Sequence, residues 1–166
     1  MPILDEHSLD FVSHSPDQTR RLGVRLGELL KPGDLVLLAG DLGAGKTTFA
    51  QGVARGWGSL DPVTSPTFVL VNLYRRPDGG ELNHLDAYRI DSPREGEQLD
   101  LDAMLAAGPL IVEWPERLGG LIPPERMWVR LNHAGEEHRE LRFDARGARY
   151  DEMLSELRRE LFGVSK

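Results

Sequence analysis

The chain of 166 residues contains no cysteine. Disulfide bridges, thiolate metal sites and cysteine nucleophiles are thereby excluded. Long apolar runs are also missing, so the sequence offers no membrane-spanning helix. The opening residues MPILDEHSLDF lack a basic stretch followed by an apolar block, and a secretory signal is not expected. A cytoplasmic location fits both absences. Lysine is scarce: it occurs only at Lys31, Lys46 and Lys166, every other basic residue being arginine. Basic residues are outnumbered, 20 against 27 acidic ones, for a net charge of -7, and they are scattered along the chain. Neutralising a nucleic-acid backbone takes clustered Lys and Arg. Independent, tight nucleic-acid binding is therefore not expected, and the pairs Arg75-Arg76 and Arg158-Arg159 read as solvated surface.

What is present suffices for one domain spanning residues 1–166: 40% of the residues are hydrophobic, enough for a real core. SPDQTRRLGVRLGELL, residues 15–30, reads as a helix capped by Ser15 or Asp17, with Leu22, Leu26, Leu29 and Leu30 as its apolar stripe. LVLLA is a strand buried on both faces, and TTFAQGVARGWG is a helix closed by glycine. TFVLVNLY (Thr67 to Tyr74) and ELNHLDAYRI form a hairpin around RRPDGG. SPREGEQLDLDAMLAAG becomes helical before Gly108, PLIVEW is a further buried strand, and PERLGGLIPPE reads as a loop. RMWVRLNHAGEEHRELRFDA alternates as two strands, and ARYDEMLSELRRELFG is an amphipathic helix with Tyr150, Leu154, Leu157 and Leu161 on one side. A strand, glycine loop and helix near the front imply an α/β fold with a three-layer core. The hairpins imply a mixed parallel and antiparallel sheet.

GDLGAGKT, Gly40 to Thr47, meets G-x-x-x-x-G-K-[ST] at every fixed position, between a predicted strand and a predicted helix. Glycines let the backbone wrap an anion with its N–H groups turned inward. The helix start adds further amides and a positive dipole end. Lys46 would reach the β- and γ-phosphates and Thr47 would place a hydroxyl on Mg²⁺. A triphosphate site also needs acids for the metal and for water. Asp86 in NHLDAYR and Glu113 at the end of PLIVE lie where strands present their carboxyl ends, as the phosphate loop does. VTSPTF, Val63 to Phe68, is a hydroxyl-rich loop in which Ser65 or Thr67 could face a γ-phosphate, as switch loops do. It also reads as plain turn chemistry around Pro66. Trp114 could stack on a base or a partner, although a tryptophan beside a strand is more often core. His84 reads as structural sooner than as a base.

Guanine-specific switches use an Asn-Lys-x-Asp element, which needs a lysine between the loop and the chain end. The only later one is Lys166, so ATP is the expected nucleotide. A small-molecule kinase is one enzyme class compatible with the loop, with Arg89 and Arg94 as lid candidates, but little chain remains for an acceptor pocket. A nucleotide-gated binding module is the other.

GDLGAGKTT, SPTF, LVN-Y, HLDAYR and VEWPER, in this order, resemble the TsaE (YjeE) family, the P-loop ATPase component of bacterial threonylcarbamoyladenosine tRNA modification. The resemblance runs from the first helix to about Leu131 and is looser beyond. It implies that Gly40, Asp41, Gly43, Ala44, Gly45, Lys46, Thr47 and Thr48 hold the phosphates of ATP or ADP, with Thr47 on Mg²⁺. It implies Thr67 near the γ-phosphate, Asp86 and Glu113 serving metal and water, and Trp114 near nucleotide or partner. Residues from Ser15 to Thr19 would lie near base or ribose. Partners of the TsaB and TsaD type are implied, with tRNA held through that complex and no membrane involved. No arginine finger is assigned; Arg89 in DAYR is a candidate, and a partner could supply one.

Overall fold

LVLLA is the keystone of the fold. Leu35–Ala39 forms a strand in which all five residues are buried, so apolar layers must cover both faces. In a computed structural model of the chain, residues 6–41, 43–60 and 71–162 are described. The elements run β1 (Ser8–Ser13), α1 (Pro16–Leu29), β2 (Leu35–Ala39), α2 (Lys46–Trp57), β3 (Val71–Arg75), β4 (Glu81–Asp86), α3 (Pro93–Glu97), α4 (Leu101–Ala107), β5 (Leu110–Glu113), a 3-10 helix (Pro115–Leu121), β6 (Arg126–His133), β7 (Arg139–Arg146) and α5 (Ala148–Phe162). The strands make one seven-stranded sheet in the order β1-β7-β6-β2-β5-β4-β3. β4, β5, β2 and β6 are mutually parallel; β3, β7 and β1 each pair antiparallel with their neighbours. The expected mixed sheet is therefore present, with the parallel strands at its centre.

One face of the sheet packs on α1, α2 and α5 through Leu26, Phe49, Val53, Phe143, Leu154 and their neighbours. The other gathers Leu37, Leu85, Ile90, Val112 and Leu118 beneath α4 and the 3-10 helix. Ser15 caps α1, its hydroxyl accepting from the Gln18 amide at 3.1 Å, with Pro16 in the first turn. Gly58 closes α2 in the left-handed conformation.

α1 and α2 each carry glycines four residues apart, Gly23 and Gly27 on one, Gly52 and Gly56 on the other. Glycine weakens a helix interior by about 1 kcal/mol relative to alanine, so packing must compensate. A Cβ at Gly27 would lie 2.0 Å from the Val53 carbonyl oxygen, and one at Gly52 2.0 Å from that of Arg20. The two helices meet backbone to backbone, and α1 thereby buttresses the helix that begins at Lys46.

Two expectations are corrected and one strand is added. The strand at ELNHLDAYRI ends at Asp86, because the backbone turns there and the Asp86 carboxylate accepts from the Tyr88 amide at 2.9 Å. PERLGGLIPPE contains the 3-10 helix instead of an irregular loop. Ser8–Ser13, to which sequence analysis assigns nothing, is a strand completing the sheet edge against β7. Its pattern alternates over too few residues to be distinctive alone. Two basic side chains read as solvated are structural: Arg76 donates to the Trp57 carbonyl at 3.1 Å and Arg158 to that of Ser8 at 2.6 Å.

Candidate functional site

The site lies beyond the carboxyl ends of the parallel strands. β2 runs directly into the glycine loop, and the register places Glu113 beside Leu38 on one side and Asp86 on the other. Three neighbouring strand ends therefore deliver the loop and both acids to one edge of the sheet.

Gly40 leaves β2 with φ 147, where a Cβ would fall 2.3 Å from the Leu131 carbonyl oxygen of β6. No other residue fits that approach. Gly45 precedes α2 in the left-handed conformation, φ 100, turning the chain into the helix. The Phe49 amide donates to the Gly45 carbonyl at 2.9 Å, so the amides of Lys46, Thr47 and Thr48 precede the first helical bond and point out of the helix start. Such free amides at a helix start are the donors that the sequence motif calls for, and they could receive an anion. The Ala44 amide is bonded within the loop, to the Asp41 carbonyl at 3.0 Å, and Ala44 is fully buried. Asp41 and Gly43 are exposed; Thr47 and Thr48 are half-buried.

Lys46 is 5% exposed. Its Nζ donates to the Gly40 carbonyl at 2.6 Å and lies 3.7 Å from the centre of the Trp114 ring. Burial lowers its pKa from the ordinary lysine value, opposed by the charges of Glu113, Asp86, Glu116 and Asp41. Trp114, half-buried, takes φ 56 and ψ 51, a left-handed backbone that a bulky residue rarely adopts. Pro115 follows and starts the 3-10 helix. The strained turn lays the indole against the Lys46 ammonium, and the ring also meets Tyr88 at 4.9 Å between ring centres.

The two acids differ in environment. Glu113 is 3% exposed, and its Oε2 lies 2.5 Å from Nε2 of fully buried His84. Asp86 is half-buried and bonded to the Tyr88 amide; burial, the largest cause, raises its pKa above the ordinary carboxylate value, and Glu113 raises it further. Among the described residues, no group of three or more His, Asp or Glu could hold a metal alone. Mg²⁺ shared with a triphosphate needs only one or two carboxylates and a hydroxyl, which Thr47, Asp86 and Glu113 would provide. Thr67 and Ser65, with the whole of Val63 to Phe68, lie outside the described residues.

The structural reading of His84 holds: fully buried, it keeps the Glu113 carboxylate in place. Sequence reasoning missed one contributor. Arg139, near the tip of the β6–β7 hairpin, donates to the Gly43 carbonyl at 3.2 Å, and no local signal links residues so far apart in sequence. With Pro16, Thr19, Gly45, Thr48 and Glu137 it lines a small recess beside the loop. In the stretch expected near base or ribose, the hydroxyls serve the fold: Ser15 caps α1, and Thr19 bonds Ser13 at 2.6 Å. Arg89 is exposed, one turn beyond Asp86.

Comparison with known proteins gives the family and the fold. Residues 13–141 match the family model described as threonylcarbamoyl adenosine biosynthesis protein TsaE. The tRNA threonylcarbamoyladenosine biosynthesis protein TsaE of Bacillus subtilis (strain 168) is 40% identical over 147 residues, 87% of this chain and 90% of that one. Its Streptomyces coelicolor counterpart is 44% identical over 117 residues, covering 69% and 79% of the two chains. The crystal structure of B. subtilis YdiB superposes with a TM-score of 0.77 at 35% identity, over 92% of this chain and 95% of the other. The architecture is a P-loop NTPase-like α/β fold. Among the described residues, no helix is long and apolar enough to cross a membrane.

Proposed function

The chain belongs to the TsaE family, whose members act in tRNA threonylcarbamoyladenosine biosynthesis, and from that premise we propose that it is the Mg²⁺-dependent ATPase of this machinery. The reading rests on one observation above others. The glycine loop, the start of α2 and two carboxylates from neighbouring parallel strands converge at one sheet edge, with a single buried lysine among them. That constellation suits phosphoryl transfer to water, in which catalysis is mostly positioning and electrostatic stabilisation.

The amides at the start of α2 and the Lys46 ammonium hold the β- and γ-phosphates. To reach them, Lys46 would exchange the Gly40 carbonyl for a phosphate oxygen, whose negative charge offsets the burial penalty on the ammonium. The metal, when bound, supplies further neutralisation of phosphate charge. Thr47 and one of Asp86 and Glu113 would hold it, and the other acid would orient or deprotonate the attacking water, with Glu113 kept in position by His84. Thr67 would approach the γ-phosphate from the switch-like loop. The chain acts as one unit in the cytoplasm, with partners of the TsaB and TsaD type that hold tRNA and accelerate turnover. It does not itself attach the modification.

The test is ATP hydrolysis measured with and without the two partner types and tRNA. Phosphate release that rises with partners supports the reading. Transfer of labelled γ-phosphate to a metabolite instead would make the protein a small-molecule kinase. Lys46→Ala should weaken nucleotide binding, whereas Glu113→Ala should spare binding and stop turnover. Full-rate turnover in Glu113→Ala would remove Glu113 from the mechanism. Mg²⁺ titrations of Glu113→Ala and Asp86→Ala assign metal and water between the two acids.

A further inference from the structure

The part of the sheet built from β1, β7 and β6 carries helices on one face only. Alternation along the strands sends Met127, Val129, Leu131, Leu141, Phe143 and Ala145 into the core beneath α1 and α5. It turns Arg126, Trp128, Arg130, Arg142, Asp144 and Arg146 to the opposite face, where they line one open cavity with His7. The register sets Arg126 opposite Arg146, Trp128 opposite Asp144 and Arg130 opposite Arg142. The backbone positions of the four arginines thus mark a rectangle about 13 Å along the strands and about 5 Å across them, with the Arg126 and Arg130 guanidiniums leaning in toward the indole between its short sides. Basic residues that look scattered in sequence are gathered by strand period and pairing.

Like charges directly opposite on paired strands are unfavourable, yet this face holds two such pairs. Arg142 is compensated by Asp10 at 3.2 Å and Asp144 at 3.3 Å. Arg130 lies 4.6 Å and Arg126 5.7 Å from the centre of the Trp128 ring, and Arg126 also donates to the Pro123 carbonyl at 3.1 Å. Among the described residues, no carboxylate lies within ion-pair distance of Arg126, Arg130 or Arg146. The rest of a chain of net charge -7 repels polyanions, so an approaching one would be oriented toward this face.

We infer that this open sheet face docks the phosphate backbone of RNA, with the Trp128 ring available to an unstacked base. Planar guanidiniums match phosphate oxygens in paired hydrogen bonds. Aromatic rings flanked by basic side chains on a sheet are a means of holding unstacked bases. An acidic polypeptide is the rival occupant. Protein interfaces gather apolar anchors at their centre, whereas this cavity offers one indole among four arginines. The face lies across the sheet from α2 and uses no residue of the phosphate loop. Only the choice of tRNA as probe rests on the function proposed above.

The experiment is fluorescence anisotropy of a labelled tRNA transcript with the full chain, without nucleotide, across a salt series. Wild type is compared with Arg130→Gln/Arg146→Gln, and thermal melting monitors folding. Loss of two phosphate contacts should weaken binding roughly tenfold or more and make the log–log salt slope shallower by about 1.5 to 2. Should the double variant fold poorly, Arg130→Glu alone, at an exposed position, carries the same test. No measurable binding by wild type at low salt, or equal affinity in wild type and variant, overturns the inference. Polyglutamate of matched charge binding as tightly as tRNA also overturns it, and points to an acidic polypeptide. Absence of ATP hydrolysis would refute the proposed function and leave the RNA result standing.

Discussion

Replacing Gly27 by alanine tests whether α1 and α2 are packed backbone to backbone. The new Cβ would sit 2.0 Å from the Val53 carbonyl oxygen and 2.9 Å from the Trp57 amide nitrogen, both on α2. Contacts below 3.0 Å are essentially never tolerated, so the helices must separate by about 1 Å at this point. Overpacking commonly costs about 1–3 kcal/mol when side chains can adjust. Here backbone faces backbone, which places the cost near 3 kcal/mol. Alanine's better helix propensity returns about 1 kcal/mol, leaving a loss of about 2 kcal/mol. For a chain of this size, that lowers Tm by about 4–8 °C. Thermal and urea unfolding would be compared for wild type, Gly27→Ala and Gly120→Ala. A Cβ at Gly120 meets nothing within 4 Å, and that variant should stay within about 0.5 kcal/mol of wild type. A Gly27→Ala protein as stable as wild type would refute the close packing.

Three further outcomes are expected. His84→Ala strands the buried Glu113 carboxylate and should cost about 3 kcal/mol or more in urea unfolding, with partial rescue in His84→Gln; a loss below about 1 kcal/mol would show that the pair contributes little. Asp86→Asn should raise Tm at neutral pH. Asp86 has a folded pKa above its unfolded value of 3.8, so its ionised form is disfavoured by folding above both values and the penalty disappears below both. The Tm advantage of Asp86→Asn should therefore shrink as pH falls through the folded value toward 3.8, and an advantage that grows on acidification would contradict the assignment. Removing Mg²⁺ with a chelator should weaken ATP binding at least roughly tenfold, read by calorimetry, because a bare triphosphate meets Asp41, Asp86, Glu113 and Glu116 around one ammonium; unchanged affinity would argue against shared metal binding.

The centre of the fold was legible because its signals are local. Leu35–Ala39 is apolar at every position, as a strand with two covered faces must be, and Gly108 and Gly58 end helices where glycine commonly does. Glu113 could be found because it follows Leu110, Ile111 and Val112 at a strand end. What escaped was set by pairing between distant segments. Ser8–Ser13 becomes a strand through β7, more than 120 residues later. The RMWVR and RFDAR stretches show alternation, but only their register brings Arg126 against Arg146 and Arg130 against Arg142. Likewise, the glycines of α1 and α2 look like helix weaknesses until the two backbones are placed in contact. His84 shows nothing in sequence of its bond to Glu113, since the two strands are joined by a crossover through α3 and α4.

Strain and close packing cooperate at the loop. The polypeptide must leave β5 at Glu113 and enter the 3-10 helix through Pro115, and a residue preceding proline is disfavoured in the right-handed helical region. Trp114 makes the turn in the left-handed region, at a cost on the order of 1–3 kcal/mol. The same turn lays its indole against Lys46 at 3.7 Å. A glycine would relieve the backbone but remove that ring, leaving the buried ammonium with the Gly40 carbonyl and more distant carboxylates. On the opposite side, the Gly27 and Gly52 contacts fix α2 against α1, so the base of Lys46 cannot retreat from the indole. The lysine is thus confined between a strained aromatic and a rigid helix start, short of solvent and with its charge penalised by burial. On the function proposed above, an incoming phosphate would offset that penalty, and the strained turn and the four helix glycines would serve by holding the lysine in place beforehand, so that little ordering is left to be done on binding.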